Sequence, residues 1–325
     1  MGLALVRHPG DLHCSPDEGA RGYLDSIRKS IGVNTTLPHQ GSPPSVARVE
    51  ECWATVDGAR MRYLRAGSGP PLVLVHGLLG YSFSWRFAIP VLAQQATVFA
   101  VDSLSTGYSD RVPGLDCSFQ ASARRLLQFL DQVGVSTCDL LGTSHGGAVA
   151  MLAASLAPQR VKRLILVAPV NPWSAHGKWL AAFLSSPAMT PVLLYLVPRL
   201  EVTHRIFLRR VFGDSRRIAQ GTLEGYSAPM RLPHSFDYGV NVLRNWKTGL
   251  ADLLRALPTI RDIPTLLIWG SLDPAVIPAS ATHLRQQFAH CRLVMLEGVG
   301  HLPYEEVPEM FNRIVTEFLK SSGTP

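Results

Sequence analysis

The chain has 325 residues, of which 46% are hydrophobic and 17% charged. That length can bury one large core, and the low charge leaves apolar surface over for a channel or a contact face. The formal charge of +7 is not arranged in any motif that reads RNA or DNA, so nucleic acid is set aside as a partner.

Residues 1–48 are rich in Gly, Pro, Ser and charge and read as a loose extension with a helix inside 17–31. They hold no basic segment followed by a continuous apolar core, so no secretory signal is read. Residues 51–56 and 60–66 form a hairpin around Asp57-Gly58, a strong turn signal. From Leu72 onward strands alternate with helices: strands at 72–75, 98–101, 138–141 and 161–167, and helices at 119–133 and after Ser144. Strands return at 264–270 and 292–297. The pattern predicts an α/β fold with a mostly parallel, eight-stranded sheet flanked by helices.

The alternation fails between 171 and 248. There the pattern is helical at 179–184, 191–196, 203–212 and 241–257, without strands. The expected division is an extension (1–48), a core (49–170 and 249–325) and a helical cap (171–248). Inserted between two strands of a parallel sheet, the cap belongs over their carboxyl ends, where ligands bind in open α/β folds. Residues 179–198 are apolar enough to suggest a membrane span, but Ser185-Ser186-Pro187 and Thr190-Pro191 interrupt them. Two prolines break a spanning helix, which favours cap helices with an apolar inner face. Arg199, Arg205, Arg209, Arg210, Arg216 and Arg217 are the densest basic group. They read as a solvated helix face, with peripheral contact to a membrane surface through the cap as the sharper alternative.

Cys14, Cys52, Cys117, Cys138 and Cys291 are widely spaced, with no Cys-x-x-Cys pair or Cys/His cluster. This argues against a metal site, and the odd count argues for reduced thiols and a cytoplasmic protein.

Four segments carry chemistry. Gly142-Thr143-Ser144-His145-Gly146 follows an apolar strand and precedes the small-residue helix Ala148-Val149-Ala150-Met151, the setting of a nucleophile elbow. His76-Gly77-Leu78-Leu79-Gly80 leaves another strand through a Gly-containing loop. It can aim backbone N–H groups at a developing oxyanion, and the amides of Leu78 and His145 are assigned that role. His76 itself reads as a brace for the loop. Asp273 follows the strand ending at Gly270, and His301 follows the strand ending at Glu297. A serine needs a base to take its proton, and the base needs an acid to fix its tautomer. Ser144, His301 and Asp273 suit these roles. Asp116, Asp131, Asp139 and Asp262 lie on helices or at the wrong ends of strands. His176, His204, His234, His283 and His290 read as surface or packing residues.

Together these segments, with Asp102-Ser103-Leu104-Ser105-Thr106-Gly107-Tyr108-Ser109, resemble the α/β-hydrolase fold superfamily in its capped, single-domain branch, from about residue 50 to the end. The order Ser, Asp, His is the one expected there. Relatives usually carry Pro-Gly where this chain has Leu104 and Ser105. The resemblance implies an esterase- or lipase-like serine hydrolase that cleaves a carboxylic ester of a small hydrophobic substrate through an acyl-enzyme, without cofactor or metal. Dehalogenases and epoxide hydrolases of this superfamily usually carry Asp at the elbow, so Ser144 speaks against both. Carbon–carbon bond hydrolases often have Trp after the histidine, where this chain has Leu302. A cofactor-free haloperoxidase and a non-catalytic ligand receptor share the scaffold and remain as alternatives.

Overall fold

The computed structural model describes residues 14–15, 48–174, 182–197 and 200–321. The extension 1–48, with its expected helix, lies outside the described residues apart from positions 14, 15 and 48.

The strands are β1 (Cys14–Ser15), β2 (Val49–Val56), β3 (Ala59–Ala66), β4 (Pro71–Val75), β5 (Thr97–Val101), β6 (Cys138–Thr143), β7 (Val161–Val167), β8 (Thr265–Gly270) and β9 (Cys291–Leu296). They form one sheet in the order β1-β2-β3-β5-β4-β6-β7-β8-β9. The eight strands from β2 to β9 are those expected, and the two-residue β1 adds a ninth at one edge. Pairing is antiparallel from β1 to β5 and parallel from there to β9. The β2–β3 turn holds Asp57 at φ 54° and Gly58 at φ 77°, the left-handed pair that matches the twist of a tight hairpin.

β5 and β6 flank β4 on opposite sides, so the chain reverses its direction of winding there. Loops leaving the carboxyl ends of β4 and β6 diverge and open a crevice at that point. Alternate residues of the strands feed two cores. Val73, Val75, Leu140, Leu164, Leu166, Leu267 and Trp269 pack on one face with helices α1 (Phe119–Gln132) and α2 (His145–Leu156). Leu72, Leu74, Leu141, Ile165, Val167, Leu266 and Ile268 pack on the other with Trp85, Ile89 and Phe311. α1 begins at Ser118, whose hydroxyl accepts from the Ala121 amide (3.2 Å), as an N-cap should.

Between β7 and β8 the chain inserts helices. These are α3 (Glu201–Val211), α4 (Thr222–Met230), α5 (Asp237–Arg244) and α6 (Trp246–Ala256), with a wider helical turn at Val192–Leu196. The helix expected over 241–257 is two helices that meet at Asn245, and the expected one at 179–184 lies outside the described residues as far as 181. α4 was not expected, because Gly225 and Pro229 are helix breakers in sequence. Both find a use in the fold. Pro229 has no N–H to offer the Gly225 carbonyl one turn earlier, and the Tyr81 hydroxyl from the core donates to that carbonyl instead (2.8 Å). A Cβ on Gly225 would fall within 2.0 Å of the Phe83 ring, so only glycine lets α4 lie flat on the core.

No helix among the described residues is long and apolar enough to cross a membrane. The expectation of reduced cysteines holds for Cys117, Cys138 and Cys291 and fails for Cys52, which is disulfide-bonded. The sequence spacing hides the reason: strand pairing sets position 14 directly opposite position 52. The thiol argument for a cytoplasmic protein therefore does not stand.

Tyr81→Phe should cost about 1 kcal/mol in chemical denaturation, the usual net worth of one hydrogen bond. In a Pro229→Ala background, where an amide can serve Gly225, the same change should cost distinctly less. Equal losses in both backgrounds would show that the hydroxyl does not substitute for the missing amide.

Candidate active site

Ser144 stands between the end of β6 and the first residue of α2 at φ 53°, ψ −121°, a conformation that costs a non-glycine residue energy. The surroundings impose it. The Ser144 amide donates to the Val167 carbonyl (2.9 Å), and its own carbonyl accepts from Val170 (2.9 Å) and Gly147 (3.1 Å). The backbone is so crowded that a Cβ on Gly146 would sit 2.2 Å from the His76 carbonyl oxygen, and one on Gly142 would sit 2.5 Å from that of Gly146.

Asp273 is buried in the loop after β8. Its Oδ1 accepts from the amides of Ala275 (2.8 Å) and Val276 (2.9 Å), while Trp269 Nε1 donates to the Val276 carbonyl (2.9 Å) and holds that loop down. Oδ2 is left for His301, whose Nδ1 lies 2.8 Å away. A carboxylate only accepts, so Nδ1 carries the hydrogen, and in the neutral imidazole Nε2 is then the nitrogen with the lone pair. Ser144 and His301 line one cavity. Among the described residues, Ser144 Oγ makes no hydrogen bond to the imidazole; such contacts commonly tighten only when substrate is bound. The structure thus joins Asp273 to His301 and brings Ser144 to the same cavity.

The amides of Leu78 and His145 are free to take an acceptor. Neither amide has a backbone acceptor among the described residues, and that of His145 is one of the unpaired N–H groups that open any helix. Gly77 and Leu78 also line the cavity. The His145 side chain points elsewhere, edge-on to Phe119 (4.8 Å) and Tyr238 (6.1 Å). Burial, with His76 nearby, pushes its pKa down to about 3, so it is neutral at ordinary pH. His76 has both ring nitrogens engaged, Nδ1 with the Gly77 carbonyl (2.8 Å) and Nε2 with the Ser103 amide (3.1 Å). It is a brace, as its sequence setting suggests.

The competing acids are occupied. Asp139 pairs with Arg163 (2.7 Å) and Asp131 with Arg160 (2.8 Å), and Asp116 accepts from the Ser118 amide (2.8 Å). Among the histidines, His234 contacts Asp237, His283 stacks on Trp173, and His176 lies outside the described residues. His204 packs, as expected, with its ring stacked on Phe236 (6.2 Å). It is buried, lies 3.2 Å from the Ser227 hydroxyl, and lines the cavity from α3.

Two residues of weight were given no role by sequence reasoning. Glu305 and Glu306 follow the His301 loop and are both buried. Glu305 forms a two-pronged pair with Arg86, and Tyr226 of the insertion donates to it (2.8 Å). Arg86 also reaches Thr222 at the start of α4 (2.8 Å). Glu306 accepts from the amides of Gly213 (3.0 Å) and Asp214 (3.3 Å) in the insertion and of Gly300 (2.7 Å) beside His301. Burial raises its pKa against the pull of these amides and of Arg217. The His301 amide donates to the Val211 carbonyl at the end of α3 (2.7 Å). The histidine loop and the insertion are therefore fastened as one piece. The available signal was two adjacent carboxylates within an otherwise apolar run.

Residues 70–191 match the family profile described as alpha/beta hydrolase fold, and 240–325 match one described as TAP-like protein. An uncharacterized protein of Mycobacterium tuberculosis is 30% identical over 283 residues, covering 82% of this chain and 80% of its own. The chain belongs to the α/β-hydrolase fold family. Haloalkane dehalogenase 2 of the same organism is 28% identical over 84% of this hydrolase-fold chain and 96% of its own. A crystal structure of a membrane phospholipase A, a bacterial virulence factor, superimposes with a TM-score of 0.75 at 22% identity, covering 92% of this chain and 89% of that one. That likeness concerns the fold alone.

Glu306→Ala leaves three amides without their acceptor, each worth about 1–3 kcal/mol when buried. The melting temperature should fall by several degrees in a thermal scan. An unchanged melting curve would mean that the Gly213 and Gly300 amides find other partners at no cost.

Proposed function

We propose that this hydrolase-fold protein is a serine hydrolase that cleaves a carboxylic ester of a substrate with a large apolar part. The observation that carries the reading is one cavity of about 500 Å³ that Ser144 and His301 share, with Asp273 behind the imidazole. The volume falls in the range of small-molecule sites. Its walls are mainly aliphatic and aromatic, among them Leu193, Phe207, Val240, Trp246 and Leu302, and water-shy walls favour an apolar acyl or alcohol group.

In this reading Ser144 Oγ attacks the ester carbonyl carbon while His301 Nε2 takes its proton. The former carbonyl oxygen gains the charge and lies between the Leu78 and His145 amides, which are unpaired and cost no reorganisation. Collapse breaks the bond to the leaving oxygen, which receives the proton from His301 and departs as the alcohol. Water then enters, gives a proton to His301 and attacks the acyl carbon. Release of Ser144 takes that proton back and leaves the carboxylic acid. Asp273 keeps Nδ1–H in place and stabilises the imidazolium at each stage.

An elbow hydroxyl, rather than a carboxylate, supports ester chemistry over the displacement of halide. With Leu302 after the histidine, the pattern of carbon–carbon bond hydrolases is incomplete.

A fluorophosphonate probe should label the wild-type chain on Ser144, and Ser144→Ala should abolish both labelling and the turnover of p-nitrophenyl esters. Asp273→Asn should lower kcat by about three to four orders of magnitude, as expected when the imidazole loses its orientation. Labelling that persists in Ser144→Ala would assign the nucleophile elsewhere. Tight apolar-ligand binding with no turnover of esters, lactones or thioesters would favour the receptor reading.

A further inference from the structure

The outer face of the insertion is unlike the rest of the surface. Of the fifteen exposed large hydrophobic residues among those described, seven fall within residues 183–207: Phe183, Tyr195, Leu196, Leu200, Val202, Ile206 and Phe207. Tyr195 is 65% exposed, Ile206 60% and Val202 56%. Scattered apolar residues on a surface mean little, but a concentration of them marks a contact site.

α3 shows the anomaly most clearly. Its inward face is already satisfied by His204, Leu208 and Val211. Val202 and Ile206, four residues apart, lie together on the opposite side. A helix at the surface of a protein in water carries polar residues there. Here that side carries valine and isoleucine, and the chain just before α3 adds Tyr195 and Leu196.

Arg205, Arg209 and Arg210 are exposed on the same helix. Arg209 and Arg210 form no ion pair among the described residues, whereas Arg205 reaches Glu201 (3.5 Å). The charge of the whole chain is concentrated in this region. Residues 171–248 hold ten Lys or Arg against four Asp or Glu, which is +6 of the total +7. Apolar side chains beside two unpaired cations suit a layer whose surface is anionic and whose interior is hydrocarbon.

We infer that the insertion docks on an anionic lipid membrane through Tyr195, Leu196, Val202 and Ile206, with Arg205, Arg209 and Arg210 against the lipid phosphates. Phe207 is half exposed on this face and also lines the cavity, as do the half-buried Leu193 and Val197. The cavity wall therefore meets the docked face at Phe207. This last point rests on the hydrolase reading: an ester with a long apolar part would pass from the bilayer to Ser144 without crossing water.

The test is co-sedimentation of the purified chain with phosphatidylcholine vesicles, with and without phosphatidylglycerol. Binding is expected to the phosphatidylglycerol vesicles and should weaken with added salt as headgroup attraction is screened. The Arg209→Ala/Arg210→Ala double variant should lose about fivefold in affinity for each arginine removed. Ile206→Asp should lower binding further at any salt concentration. None of these residues lines the cavity, so turnover of a soluble short-chain ester should match wild type in every variant. That control separates the two readings, because vesicle binding is measured without catalysis and the hydrolase reading is tested without vesicles. No binding to either vesicle, or equal binding to both, overturns the assignment. So does a stable dimer in sedimentation equilibrium that Ile206→Asp dissociates, since the face would then belong to a second copy.

Discussion

One backbone constraint underlies the site: the chain must turn from β6 into α2 within a single residue. Ser144 can occupy that position only in a conformation that L-residues avoid, and the turn survives because neighbours hold it from both sides. Strand β7 takes its amide and the chain after β7 takes its carbonyl. Gly142, Gly146 and Gly77 keep side chains out of a space where the backbones of three segments nearly touch. The strained turn raises the Ser144 hydroxyl into the crevice where β4, β5 and β6 change order.

The remainder of the site depends on a second join, between the sheet and the insertion. It is made of buried polar contacts. Glu305 with Arg86 reaches Tyr226 and Thr222, Glu306 ties Gly300 to Gly213 and Asp214, and the His301 amide reaches Val211. A buried carboxylate is costly unless its oxygens are satisfied, and here each of the two carboxylates connects the core to the insertion. The insertion therefore does more than roof the cavity. It shares a backbone hydrogen bond with the loop that presents the imidazole, from His301 to Val211, so a shift of one is felt by the other.

Where sequence reasoning succeeded, the signal was local. The apolar runs at 72–75, 138–141 and 161–167, the Asp57-Gly58 turn and the elbow glycines each declare their conformation within a few residues, and each falls within the element expected there. Where it failed, the deciding contact lay far away in the chain. Gly225 and Pro229 look like breaks until Phe83 and Tyr81 are set against them. The apolar run at 241–257 conceals a break at Asn245. Cys52 looks like an isolated thiol until strand pairing brings position 14 opposite to it.

The amino-acid sequence alone determined the fold class, the strand and helix succession of the core, and the candidate roles of Ser144, Asp273, His301, Leu78 and His145. These follow from short-range patterns, because periodicity and turn chemistry act over a few residues. The tertiary structure alone decided that Asp273 takes Nδ1 of His301, that Glu305 and Glu306 fasten the insertion to the histidine loop, and that α3 turns a second apolar face outward. Those outcomes depend on which surfaces meet after a long excursion of the chain, and no local pattern encodes the geometry of that meeting.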